Sequence, residues 1–277
     1  MRLEGKTILV TGATDGVGRV VAKRLAAEGA NVLVHGRNQQ RAEQVLREIC
    51  GARARPKKGM ATFYQADFAS LAEVRELART VLQERERIDC LVNNAGIGSG
   101  PDKNHRDFSK DGYELRFAVN YLAGFLLTYL LLPRLVESAP ARVVNVSSLG
   151  QQAIDFGDVM LERGYSGARA YCQSKLAQIM FTFDLSREVD PQEVTANALH
   201  PATYMNTTMV RESGNTPASS VEEGADAIMK QILSEELRRR SGHFFNGQRE
   251  ARAIDQAYDV DARANLKALS MRLAGLS

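Results

Sequence analysis

Six short apolar runs alternate with amphipathic helical patterns, and this alternation restricts the fold more than any other feature of the chain. The runs are Thr7 to Thr11, Val32 to His35, Thr62 to Gln65, Asp89 to Asn93, Arg142 to Ser147 and Val194 to His200. They are rich in Val, Ile and Leu, as strands buried on both faces of a parallel sheet must be. Between them, Val17, Val20, Val21 and Leu25 precede Gly29, while Ala42, Val45, Leu46 and Ile49 precede Gly51. Leu71, Val74, Leu77 and Val81 follow Ser70. Spacings of three, four and seven put each set on one helical face, with the glycines as C-caps. Ser70 with Glu73, and Ser220 with Glu223, match the capping box. Parallel neighbours require right-handed crossovers through helices. The expectation is therefore α/β: one doubly wound, Rossmann-type domain over 1–277, with a mostly parallel seven-stranded sheet and helices on both faces. Gly242 to Phe245 is the weaker seventh run.

The rest of the composition narrows the function classes. Net charge is +3, without long charged blocks, which argues against a nucleic-acid partner. The basic runs 53–58 and 238–240 read as solvated surface. Cys50, Cys90 and Cys172 are odd in number and widely spaced, so neither a disulfide framework nor a metal site is expected, and a cytoplasmic setting fits. The longest apolar stretch, Tyr121 to Leu132, stops at Pro133, short of the ~20 residues of a membrane span. It predicts a buried helix and no transmembrane segment. The opening MRLEGKTILVTG has no signal-peptide pattern.

The first strand runs into Thr11-Gly12-Ala13-Thr14-Asp15-Gly16-Val17-Gly18 and then a helix. Glycines there let the backbone approach a pyrophosphate, and the helix start offers amide donors. A dinucleotide site is predicted, lined by Gly12, Thr14, Asp15, Gly16, Val17 and Gly18. The second strand selects the dinucleotide. An NAD site usually carries an acid about 20 residues on, for the ribose 2′-hydroxyl. No acid occurs from Asn31 to Gln40, and Arg37 stands there instead, able to pair with a 2′-phosphate. NADP(H) is the expected cofactor. Further on, Tyr171 and Lys175 share a helical face, where an ammonium could lower the phenol's pKa. Ser147 and Ser148 end a strand, and Asn120 lies in the helix before it, where ligand groups gather in open α/β sheets.

With these motifs in this order, together with Asp67 after strand three and Asn93-Asn94-Ala95-Gly96 after strand four, the chain resembles the short-chain dehydrogenase/reductase family in its classical branch. The resemblance implies hydride transfer between NADP(H) and an alcohol or carbonyl. Tyr171 would exchange the proton, Lys175 would tune it and hold the nicotinamide ribose, Ser148 would orient the substrate oxygen, and Asn120 would support a water relay. Asp67 and Asn94 would meet adenine and its ribose beside Phe68, Ala95 and Gly96, and Pro201 and Thr203 would complete the cofactor set. Members often pair through the helices near Asn120 and Tyr171, so a homodimer or homotetramer is implied. Two departures stand out. An insertion, 151–170, precedes the catalytic helix and is similar to the retinol-dehydrogenase-like group, and Ala202 replaces a glycine after Pro201.

The substrate side is read from residues alone. Ile154, Phe156, Met160 and Tyr165 in the insertion, then Tyr204, Met205 and Met209, would line an apolar cleft suited to a lipophilic small-molecule carbonyl or alcohol. The segment 203–220 is predicted to act as a substrate lid. A second reading keeps the dinucleotide site in a regulatory protein without turnover, which would have no use for an activated phenol.

Overall fold

Inward-facing aliphatic residues alternate along the central strands and divide the interior into two layers. Leu9, Leu33, Leu91 and Val143 face one layer, and Ile8, Val10, Val32, Val34, Val92 and Val144 the other. The computed structural model describes residues 3–51, 61–102 and 104–276, so the basic run 53–58 lies outside the described residues. Strands β1 (Thr7–Val10), β2 (Asn31–Gly36), β3 (Ala61–Gln65), β4 (Cys90–Asn93), β5 (Ala141–Val146), β6 (Val194–His200), β7 (Phe244–Asn246) and β8 (Arg249–Ala251) form one sheet. Their order is β3-β2-β1-β4-β5-β6-β7-β8. Every pairing is parallel except that of β7 with β8.

The eighth strand exceeds the expected seven. Asn246 pairs with Arg249 across a two-residue loop, and Gly247 at its first position has φ +57°. Glycine is the residue that such a tight hairpin favours there.

Helices α1 (Gly16–Ala27), α2 (Gln39–Cys50) and α7 (Val221–Leu233) bury Val21, Leu25, Val45 and Ile228 in one layer. In the other, α3 (Leu71–Glu84), α4 (Ala123–Glu137) and α5 (Gly167–Glu188) bury Val74, Leu126 and Ile179. Both predicted capping serines accept from the backbone N–H three residues on, Ser70 from Glu73 and Ser220 from Glu223. Glu73 does not complete its box, because its carboxylate accepts from Asp67 N instead, at 2.8 Å.

The apolar helix is longer than its sequence suggested. A π-helical turn, Phe117–Leu122, runs into α4, which continues through Pro133 to Glu137. These 21 residues are long and apolar enough to cross a membrane, yet 67% of the apolar window is buried inside the fold, as a core helix requires. The last helix, α8 (Val260–Leu273), lies across this region. Ser270 meets the Tyr121 hydroxyl at 2.7 Å, and Arg263 donates to Asp184 on α5 at 2.8 Å. Assembly through α4 and α5 would have to use surface that α8 leaves free.

Candidate active site

Strand order reverses between β1 and β4, opening a crevice at their carboxyl ends, the usual place for a ligand in such sheets. The Thr11 hydroxyl accepts from the backbone N–H groups of Asn94 and Ala95, both at 2.9 Å, and donates to Val92 O. The Asn94 amide donates back to Thr11 O at 2.8 Å and to Gly12 O at 3.2 Å. Asn94, expected to meet the cofactor, thus spends its side-chain donor on bracing the glycine loop.

Lack of side chains shapes this loop. Gly12 has φ +64°, and a Cβ there would stand 2.8 Å from Ala95 Cα. At Gly18 a Cβ would strike Gly12 O and the Asn94 amide. A Cβ on Gly36 would lie 2.6 Å from the Thr14 hydroxyl. Only glycine allows such approach, and the resulting cradle fits a pyrophosphate at a helix start. Asp15 caps α1, accepting from Gly16 N at 2.7 Å, while its second oxygen lies 3.1 Å from the Arg41 guanidinium. That pairing accounts for an acid beside a phosphate site.

Sequence reasoning missed His35. Its Nδ1 accepts from Gly12 N at 3.2 Å and its Nε2 lies 3.1 Å from Ala66 O, which together select the neutral ring with the proton on Nε2. Burial lowers its pKa to about 4 and keeps it in that form. Phe68, expected beside adenine, is buried and stacks on His35 at 4.3 Å between centroids. Arg37 is exposed, with its guanidinium 3.8 Å from Asp67. Both therefore stand at the open edge of the crevice.

Tyr171 and Lys175 come from α5, Ser148 from the turn after β5, and Asn120 from the π-helical turn. The Ser148 hydroxyl accepts from Gly150 N at 3.0 Å and lies beside the Tyr171 ring, both within 3.6 Å of where a Cβ on Gly150 would stand. Ser147 turns the other way and donates to Lys175 O at 2.7 Å. Asn120 accepts from Ile97 N at 2.7 Å, and its amide donates to Ile97 O and to Ser174 Oγ. This fixes the loop that carries Ala95 and Gly96. A Cβ on Gly96 would lie 3.2 Å from Asn120 Oδ1 and 3.5 Å from Lys175 Nζ, so glycine leaves the ammonium room.

One electrostatic expectation changes. Lys175 Nζ donates to Val146 O at 2.9 Å and to Gln178 Oε1 at 3.2 Å, and it stands 5.9 Å from the Tyr171 ring centre. Those oxygens are nearer acceptors than the phenol. Burial lowers Lys175 to about 8. Burial also pushes the Tyr171 phenol above its usual range, against the lowering influence of the nearby Ser148 hydroxyl.

Farther out, the predicted substrate residues separate into two groups. Ile154 is buried, and Phe156 and Met160 pack against the main core. The Tyr165 hydroxyl is held by Arg116 at 2.8 Å and by Glu114 at 3.3 Å, and burial raises it to about 12. These insertion residues all have packing partners, while Phe156, Met160 and Tyr165 keep part of their surface exposed. Tyr204 is half exposed, and Met209 lies on Gly98, where a Cβ would meet its Cγ at 3.1 Å. Met205 forms a bridge to Ser219, and Ala218 N donates to Tyr204 O, which closes the base of segment 203–220 around the short helix α6 (Thr208–Glu212). Outside glycine, left-handed backbone occurs among the described residues at Leu161 and Tyr204. Ala202 is not among them, so alanine replaces the glycine without backbone strain. Thr203 lies 3.1 Å from His200 Nε2.

The carboxyl-terminal segment also reaches the site, which no sequence pattern indicated. Gln151 donates to Ser148 O at 2.9 Å and accepts from Ile254 N at 3.0 Å. Gln256 grips both backbone groups of Ile154, at 2.6 and 3.0 Å.

A family model described as short chain dehydrogenase matches residues 6–218, most of the chain. The chain belongs to the short-chain dehydrogenase family. Within it, retinol dehydrogenase 13 of Mus musculus is 38% identical over 99% of this chain and 85% of its own. Retinol dehydrogenase 12 of Homo sapiens is 34% identical over 100% and 88%. The chain therefore falls in the retinol-dehydrogenase-like group of these dehydrogenases and is an oxidoreductase acting on alcohol or carbonyl groups with a nicotinamide dinucleotide. Among solved structures, an uncharacterised protein from Mycobacterium paratuberculosis superposes with a TM-score of 0.78 at 29% identity, covering 98% of this chain and 94% of that one. A short chain dehydrogenase from Shigella flexneri complexed with NADP gives 0.68 at 25%, covering 89% and 98%. The 3-ketoacyl-(acyl-carrier-protein) reductase from Brucella melitensis complexed with NADH gives 0.68 at 25%, covering 88% and 96%.

Proposed function

We propose that this short-chain dehydrogenase uses NADP(H) on a lipophilic carbonyl or alcohol, with Tyr171 as general acid and base. The observation that carries the reading is the Ser148 hydroxyl set beside the buried Tyr171 phenol after β5, both within 3.6 Å of where a Cβ on Gly150 would stand, next to a glycine loop packed too closely for side chains. When bound, the nicotinamide supplies the hydride in reduction and accepts it in oxidation. Ser148 donates to the substrate oxygen and holds it against the phenol. Tyr171 gives its proton to that oxygen as the alcohol forms and takes it back in the reverse direction. The Lys175 cation stabilises the phenolate left behind and offers donors to the nicotinamide ribose, while Asn120 holds the neighbouring loop and supports the return of the proton through water. Gly12, Thr14, Asp15, Gly16, Val17 and Gly18 would hold the pyrophosphate side. Asp67, Ala95 and Gly96 would hold the adenosine, with Phe68 buried behind them against His35 and Asn94 bracing the glycine loop, and Pro201 and Thr203 would hold the nicotinamide.

Preference for NADP(H) is supported by Arg37, exposed at the end of β2 with no acid on that strand. Lipophilic substrates are supported by exposed Leu149, Tyr204 and Ile254 near the mouth, and by relatives whose names specify retinol. Three free thiols support a cytoplasmic, reducing setting.

The test is turnover of the purified protein against retinal, other long-chain aldehydes, short ketones and sugars, followed by nicotinamide absorbance with NADPH and with NADH. Faster oxidation of NADPH with the long apolar carbonyls is expected. Tight NADPH binding without turnover of any carbonyl would favour the regulatory reading instead, and preference for sugars would overturn the lipophilic cleft.

A further inference from the structure

Gln178 has no part in the chemistry above, yet it grips the cation on which that chemistry leans. It follows Lys175 by three residues on α5 and is buried. Its Oε1 accepts from Lys175 Nζ at 3.2 Å, and its Nε2 reaches Asn93 O at the end of β4, at 3.5 Å. The other acceptor for the ammonium is Val146 O at 2.9 Å. Both acceptors are neutral dipoles. Among the described residues, the ionisable groups facing Lys175 are Tyr171 on its own helix, with the ring centre 5.9 Å from Nζ, and His200 at the end of β6. Burial and the Lys175 charge hold His200 at about 4, so it adds no positive charge near neutral pH. From β4 and the π-helical turn the neighbours are Gly96 and Asn120, which carry none either.

A buried cation whose partners are dipoles depends on each of them, because no carboxylate makes up for a lost acceptor. The Val146 carbonyl belongs to the β5 backbone and cannot be varied by substitution, whereas the Gln178 amide can. We propose that Gln178 is a positioning residue for Lys175: its Oε1 holds the ammonium on the sheet side of the cleft, charged and within a side-chain swing of Tyr171. The proposal rests on the reading of Tyr171 and Lys175 given above. It assigns to a glutamine outside the Tyr-x-x-x-Lys motif the control of how far up the pH scale the lysine stays protonated.

Two nearly isosteric substitutions move this property in opposite directions. Gln178→Met keeps the length and removes the acceptor, while Gln178→Glu puts a carboxylate where the amide oxygen stands. The protein is labelled with carbon-13 at lysine Cε and titrated by NMR, the Lys175 signal being the one lost in Lys175→Arg. In the wild type it should titrate near 8. Gln178→Met should lower the midpoint by about one pH unit, a tenfold shift in the protonation equilibrium, and Gln178→Glu should raise it by at least as much. The alkaline limb of kcat/KM for NADPH, which reports the free enzyme, should move the same way, so that the loss in Gln178→Met shrinks as the pH falls toward 6.5. General structural damage would not produce opposite shifts in the two variants. Identical Lys175 midpoints in all three proteins would overturn the proposal. Turnover by the wild type decides the catalytic reading separately, and the NMR titration decides the role of Gln178 with or without it.

Discussion

Around the glycine loop, position is set by what a side chain would strike. Gly12, Gly18 and Gly36 each face an atom of Ala95, Asn94 or Thr14 that leaves no room for a Cβ, and Thr11, Asn94 and His35 close the remaining hydrogen bonds. The substrate side is held differently, by a few side chains reaching across long sequence distances. Arg116 donates to Gly98 O, Ser99 O and the Tyr165 hydroxyl, and Gln151 and Gln256 tie the insertion to residues 254–256. Contact geometry of the first kind tolerates no change but serves any dinucleotide user. Staples of the second kind can be exchanged one at a time, so the same cofactor frame can carry different substrate walls.

The largest break in this contrast should come from Arg116→Met. It strands Glu114, whose side chain is 1% exposed, without its cationic partner. Removing one partner of a buried pair costs roughly 3–5 kcal/mol. Urea unfolding should show a loss of that order, and the folded fraction should still bind NADPH while turnover of a lipophilic aldehyde fails. Gly18→Ala tests the other side. A Cβ against the Gly12 carbonyl is overpacking, worth about 1–3 kcal/mol. Thermal unfolding should register that cost, and quenching or enhancement of NADPH fluorescence should show binding lost along with it. Cofactor binding surviving in Gly18→Ala would mean that the loop is not held by contact.

Smaller effects sharpen the comparison within each side. Arg37→Ala should weaken NADPH by about tenfold, as for one charge-assisted contact at an exposed site, and leave NADH nearly unchanged. Equal losses for both would make Arg37 structural. Tyr204→Ala should raise KM for a long-chain aldehyde several-fold, with NADPH affinity intact, since the side chain is half exposed at the base of segment 203–220. A matching change in NADPH affinity would show that this segment belongs to the cofactor side.

The two sides also differed in how legible they were. Strand positions followed from apolar runs, and the glycine loop from its place between a strand and a helix, because local contacts decide both. Ser148 could be preferred over Ser147, and the structure turns the two hydroxyls in opposite directions. Apolar composition marked Phe156 and Tyr165 but could not show that Phe156 packs on the main core or that the Tyr165 hydroxyl is held by Arg116. Gln256 was invisible, since its partner Ile154 lies 102 positions away, and so was the reach of Arg116 to Tyr165, 49 positions on. Strand β8 was missed although Asn246-Gly247 carries a hairpin signal, the strands flanking it being only three residues long. The Tyr171–Lys175 spacing suggested a direct electrostatic partnership, and the oxygens of Val146 and Gln178, which no spacing reveals, hold the ammonium elsewhere.

The central claim is that proton transfer by Tyr171 is separable from cofactor binding, and Tyr171→Phe measures this most directly. The substitution deletes one hydroxyl and little volume. With the best aldehyde from the wild-type screen, kcat should fall by about 10²- to 10⁴-fold, the usual worth of a positioned acid, while the Kd for NADPH stays within about twofold. A Phe variant that keeps more than about a tenth of the wild-type rate would contradict the account, because the proton would then come from another group.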